Sequence, residues 1–141
     1  MKIGELAEQT NCSPETIRYY EKINLLPEPQ RSDNNYRHYG PLHKERLRFI
    51  RNCRSLDMTH EEIRHLLQFI AHPEAGCEPV TAVISDHLHH VDVRIEELTQ
   101  LRQQLLQLKA ACAHENPDQA CGILDQISNM DPLPDNETHL G

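Results

Sequence analysis

Apolar positions recur at helical spacing along most of the chain, broken by short polar stretches. Ile3, Leu6 and Ala7 give one apolar face to a helix over Ile3–Thr10. Asn11-Cys12-Ser13 is a tight polar turn. Ser13 is a good N-cap and Pro14 suits the first helical position, so a second helix is predicted over Glu15–Lys22, ended by Asn24–Pro29. Two short helices joined by such a turn form a helix-turn-helix pattern. Gln30 to Tyr39 is polar, and Asp33-Asn34-Asn35 favours a turn between Arg31-Ser32 and Tyr36-Arg37, which predicts a small β-hairpin, or wing. A third helix is expected over Leu42–Leu56, with Leu47, Ile50 and Cys53 inward. Thr59 and Glu62 match a capping box, which starts a fourth helix over His60–Ala71.

His72 to Gly76 reads as a linker, and from about Pro79 to Ala113 the pattern becomes one long helix. Ile84, Leu88, Val91, Ile95, Leu98, Arg102, Leu105, Lys109 and Cys112 alternate spacings of four and three, the seam of a coiled coil. The remaining chain is too short to cover that stripe, so the helix is read as a dimerisation helix. A polar loop then leads through Cys121 to a short amphipathic helix ending at Met130, and residues 131–141 read as a disordered tail. The predicted fold is mainly α. A winged helix-turn-helix domain spans 1–71, a linker 72–79, a long antiparallel coiled-coil dimerisation helix 80–113, and a metal-binding loop and short helix 114–130.

Charge sharpens this division. The net charge of -8 looks wrong for a chain that meets DNA. Residues 1–64, however, hold 11 of the 14 Lys and Arg against 10 of the 22 Asp and Glu, a balance of +1, whereas residues 65–141 carry -9. The first part can therefore show a basic face to phosphates, and the second is an acidic module with a different task. No apolar run approaches a membrane span and the first residues lack the pattern of a signal peptide, so the expected location is the cytoplasm, with no membrane partner. Five cysteines in that compartment point to metal or redox chemistry rather than a disulfide framework.

The candidate chemistry falls into the same two parts. Thr16, Arg18, Tyr19 and Tyr20 lie on the outward and N-terminal part of the second helix, and Asn35, Tyr36 and Arg37 lie on the wing. Arg pairs with guanine or phosphate and Tyr hydroxyls suit phosphate, so these seven are the candidate contacts to double-stranded DNA. A solvated charged face with the Tyr rings in the core is the competing reading. In the acidic part, Cys112 and Cys121 flank a loop and can close on one ion, and thiolates select soft ions. Cys77 precedes the long helix. At ~1.5 Å per residue it lies ~50 Å from Cys112 in the same chain. An antiparallel two-fold dimer brings Cys77 of one subunit to the Cys112–Cys121 loop of its partner, making two metal sites. Three unrelated thiols are the alternative. Cys12 and Cys53 fit packing positions. His87 and His90 share a helix face at usable metal spacing, a candidate second site that Glu62 or Asp86 would complete, against a solvated polar cluster. His114 is a candidate fourth ligand. No catalytic constellation is present, so the chain is not expected to be an enzyme.

With these residues in place, the sequence resembles the mercury-resistance (MerR-type) regulators. The matching stretches are Lys2-Ile3-Gly4-Glu5-Leu6-Ala7, Thr16-Ile17-Arg18-Tyr19-Tyr20-Glu21, Leu25-Leu26-Pro27, and Asn35-Tyr36-Arg37 with Tyr39. The likeness covers residues 1–130. It implies a homodimer that sits on an over-long promoter spacer and, when effector binds, bends and untwists the DNA so that RNA polymerase can use the promoter. Copper(I)-responsive members have a non-cysteine residue where Cys77 stands, so the resemblance points to a soft divalent ion. Arg51 to Met58 and Cys121-Gly122-Ile123-Leu124 resemble the cadmium/lead branch. Pb2+ or Cd2+ is thus the expected effector, with Zn2+ or Hg2+ as alternatives; zinc would want a fourth ligand, for which His114 is nearest. A thiol metal-buffer protein would explain the cysteines but leave the wing idle, and an enzyme with a cysteine nucleophile has no base placed to serve it.

Overall fold

The computed structural model describes residues 1–111 and 121–131. Its elements follow one another as α1 (Ile3–Thr10), α2 (Pro14–Lys22), β1 (Gln30–Arg31), β2 (Arg37–His38), α3 (Pro41–Ser55), α4 (His60–Ala71), a 3-10 turn over Pro73–Ala75, α5 (Glu78–Ala110) and α6 (Gly122–Asn129). The chain divides into two compact units, Met1–His87 and the part from Leu88 onward.

Local chemistry accounts for most of the boundaries in the first unit. Ser13 Oγ accepts from the Thr16 amide (3.1 Å) and Pro14 occupies the first turn of α2. Asn11, at φ 56°, ends α1 in the left-handed region that Asn tolerates. In the α4 capping box, Thr59 Oγ1 accepts from the Glu62 amide (3.1 Å) and Glu62 Oε1 accepts from the Thr59 amide (3.0 Å). His43 opens α3 differently: its Nδ1 accepts from the Gly40 amide (3.0 Å), while Nε2 lies 3.1 Å from the Pro27 carbonyl. Leu6, Ile17, Leu25, Leu26, Leu47, Ile50 and Ile63 are fully buried and lock α1 to α4 around one aliphatic core. Cys53 is buried in it, as a packing role requires, and burial pushes its thiol up from the ordinary value.

The wing pairs Gln30 with His38 and Arg31 with Arg37, antiparallel. The strands lie one residue outside the positions expected from the turn residues. Ser32 and Tyr36 close the turn instead, through Ser32 N–H to the Tyr36 carbonyl (2.9 Å), with Asn35 at φ 65°.

Helix α5 begins at Glu78, inside the expected linker, and ends at Ala110 rather than 113. Its first turns belong to the first unit, where Val80 and Val83 pack against the core and His87 is buried. In the second unit the seam residues Leu88, Ile95, Leu98 and Leu105 are 46–59% exposed in the single chain. A row of half-exposed aliphatic side chains along one helix is a surface built to be covered. No helix of the described residues is long and apolar enough to cross a membrane.

Candidate DNA interface and metal centre

Helix α2 and the wing carry the expected DNA contacts. Arg18 and Tyr19 are exposed on α2, and Thr16 lies at its start with Oγ1 2.8 Å from Ser13 Oγ. Asn35 and Tyr36 are exposed on the wing; Asn35 Oδ1 accepts from Arg31 Nη1 (3.0 Å), and Lys2 Nζ lies 5.8 Å from the centre of the Tyr36 ring. Tyr20 is a correction. It does not lie on the outward face but is buried to 8% exposure, packed near Tyr19 and His60, because its position in α2 follows the core face set by Ile17. Burial raises its phenol pKa and, with Arg54 and Arg64 close by, lowers that of the His60 imidazole.

Arg37 is tied into the fold. Its Nη1 donates to Glu21 Oε2 (2.9 Å), and Tyr39 Oη donates to the other carboxylate oxygen (2.5 Å). Burial, then the hydrogen bond to Glu21, pushes the Tyr39 phenol up to about 12. No local signal in the sequence marks Glu21, because its partners lie 16 and 18 residues away. The basic face of α3 is a second feature outside the expected contacts. Lys44, Arg48 and Arg51, at helical spacing, line a cleft of about 410 Å³ with Gln9, Thr10, Asn11 and Asn52, and among the described residues no carboxylate lines it.

Cys77 is exposed at the start of α5, and its carbonyl accepts from the Thr81 amide (2.9 Å). Gly76, before it, adopts φ 81°, ψ -174°, a conformation essentially restricted to glycine. Cys121 is the N-cap of α6 and is exposed. Gly122, after it, lies hard against the end of the preceding segment: a Cβ there would stand 2.5 Å from the Ala111 carbonyl oxygen. Ala111 and Gly122, the described residues next to Cys112 and Cys121 in sequence, therefore lie in contact. Cys112, His114 and the first part of the expected 114–130 module, residues 114–120, lie outside the described residues, as does nearly all of the expected tail.

His87 Nε2 is 2.7 Å from the Leu56 carbonyl and Nδ1 is 3.0 Å from Glu62 Oε2. A neutral ring has one N–H and cannot donate to both acceptors at once. His90 follows one turn later on α5, partly buried.

A recognition helix, a wing pinned to it and a long apolar-faced helix define a DNA-binding transcription regulator. The sequence matches the MerR HTH family regulatory protein model over residues 1–70 and the "MerR, DNA binding" model over residues 44–108. The chain belongs to the MerR family, and with it to the transcription regulators rather than the enzymes. Among its relatives, an HTH-type transcriptional regulator ZntR homolog of Haemophilus influenzae is 41% identical over 84% of this chain and 87% of its own. The lead(II) complex of the transcription regulator PbrR691 from Ralstonia metallidurans is 42% identical, with a TM-score of 0.81 over 90% of this chain and 98% of that one. The mercury(II) complex of MerR from Bacillus megaterium is 33% identical, with a TM-score of 0.66 over 91% and 99%.

Proposed function

We propose that the chain is a metal-responsive activator that binds promoter DNA as a homodimer and responds to a soft divalent ion, Pb(II) or Cd(II) before Zn(II) or Hg(II). The observation that carries this reading is the contact of Gly122 with Ala111, the sequence neighbours of Cys121 and Cys112. The donor set fits the ion. Thiolates favour soft metals. Cys77 and Cys121 each open a helix, where the dipole favours negative charge, and three thiolates around a dication leave one net negative charge. The half-exposed seam of α5 supports an antiparallel dimer in which Cys77 of the partner subunit completes each site. His87 and His90 form a proposed second site, supported by the Leu56 carbonyl that orients the His87 ring.

The protein's own part in activation is mechanical. The Arg18, Tyr19, Asn35, Tyr36 and Arg37 surface holds the promoter backbone, and the dimer exists in two states that hold it differently. An effector that binds one state more tightly shifts their populations, and the favoured state bends and untwists the DNA for RNA polymerase.

Transcription from the protein's own promoter across Pb, Cd, Hg and Zn tests this, together with thiolate-to-metal charge-transfer absorption. Cys112→Ser and Cys121→Ser should each lose metal absorption and induction while still binding DNA. Co-expressed Cys77→Ser and Cys112→Ser subunits should recover one site of two. Induction surviving Cys121→Ser would refute the ligand assignment.

A further inference from the structure

Glu21 has the wrong charge for its place. It lies on the recognition helix, next to the side chains proposed above to meet phosphate, and an acid there repels a polyanion. Yet its carboxylate is nearly enclosed, at 9% side-chain exposure, and both oxygens are engaged with the wing: Oε2 with Arg37 Nη1 at 2.9 Å and Oε1 with Tyr39 Oη at 2.5 Å. The wing itself is two strands of two residues each, too short to hold a fixed shape alone. It is anchored elsewhere by the Tyr39 ring, buried to 2% exposure, and by the Tyr39 amide on the Met1 carbonyl (2.8 Å). Arg37 carries five N–H donors on a planar fork, so holding Nη1 fixes the plane and leaves donors for another partner.

We infer that Glu21 is a positioning residue for DNA binding: it clamps the wing to the recognition helix and holds the Arg37 guanidinium in the plane that meets a backbone phosphate. This rests on the DNA-contact role given to Arg37 above. The sign of the effect separates the clamp from plain electrostatics. A mere acid near DNA weakens binding, so its removal would tighten the complex and leave the Arg37 contact intact. Removal of a clamp weakens binding even though a negative charge has gone.

The test is the affinity of the full-length protein for a fluorescent random-sequence DNA duplex over a range of salt concentrations, since phosphate contacts are sequence-independent. Failure of the parent protein to bind the duplex would refute the DNA-binding reading itself. Glu21→Gln keeps the size and an acceptor for Tyr39 but removes the anionic partner of Arg37. It is expected to bind on the order of tenfold more weakly, with a log–log salt slope shallower by about 1.8, the value of two lost phosphate contacts, one from each subunit of the proposed dimer. In an Arg37→Ala background the same change should add little. Glu21→Asp keeps the charge but withdraws it by one methylene, and should lose affinity in the same direction. Binding by Glu21→Gln as tight as or tighter than the parent, full additivity with Arg37→Ala, or unchanged affinity in Glu21→Asp overturns the proposal.

Discussion

Gly122→Ala sets two effects against each other. Ala is the better helix former by ~1 kcal/mol in a helix interior. On local propensity alone the change at the first residue of α6 is neutral or stabilising. The tertiary contact opposes it. The new Cβ would stand 2.5 Å from the Ala111 carbonyl oxygen, where ordinary contact starts at 3.4 Å, so the two segments must part by about 0.9 Å. Both partners are backbone, and no side-chain rotation relieves the clash. A displacement of that size next to Cys121 is comparable to the ~1 Å looseness at which a ligand constellation fails. The expected cost is a ~10–100-fold loss of metal affinity, as for disrupted support of metal ligands. That equals ~1.4–2.8 kcal/mol at 1.4 kcal/mol per decade. The assay is titration with Cd(II) or Pb(II) against a competing chelator, read at the thiolate charge-transfer band. DNA affinity of the metal-free protein serves as the control and should not change. Unchanged or tighter metal binding would refute the close-approach argument. If Cys121→Ser still abolished binding, the site assignment itself would stand.

Two further perturbations probe the first unit. Ser13→Ala removes the acceptor for the Thr16 amide and should cost ~1 kcal/mol, seen as a Tm lower by ~4–8 °C in thermal unfolding; an unchanged Tm would mean the cap contributes nothing. Tyr39 is protonated more tightly in the fold than in the unfolded chain, 10.0 rising to about 12, so its stabilisation is present below pH 10 and is lost as the pH rises towards 12. Tyr39→Phe should flatten that alkaline loss of stability in denaturant melts between pH 9 and 12, and an identical profile would remove Tyr39 as its cause.

The residues legible in the sequence were those whose signals are local. Ser13-Pro14 and the Thr59–Glu62 box start α2 and α4 where their capping chemistry places them. The apolar period of α5 is visible from the spacing of its residues alone. What could not be read was which face of a short helix wins. Tyr20 and Tyr19 are neighbours with the same side chain, and only the packing of α2 on the core sends one inward and leaves the other out. The one-residue shift of the wing strands has the same origin. The turn residues allowed several registers, and the pairing of Arg31 with Arg37 fits Arg37 to Glu21 and Tyr39 to the core.

The family and its two-part plan were thus set by sequence: helix periods, caps, the basic first half and the spaced cysteines each act within a few residues or through composition. The tertiary structure decided the rest. It brought Glu21 to the wing, His87 to Leu56 and Glu62, and Gly122 to Ala111. Each joins residues eleven or more positions apart. The contacts of Glu21 and His87 follow from how the helices of the first unit pack around Leu6, Ile17, Leu47 and Ile63, that of Gly122 from a close backbone approach in the second, and a one-dimensional pattern holds no record of either distance.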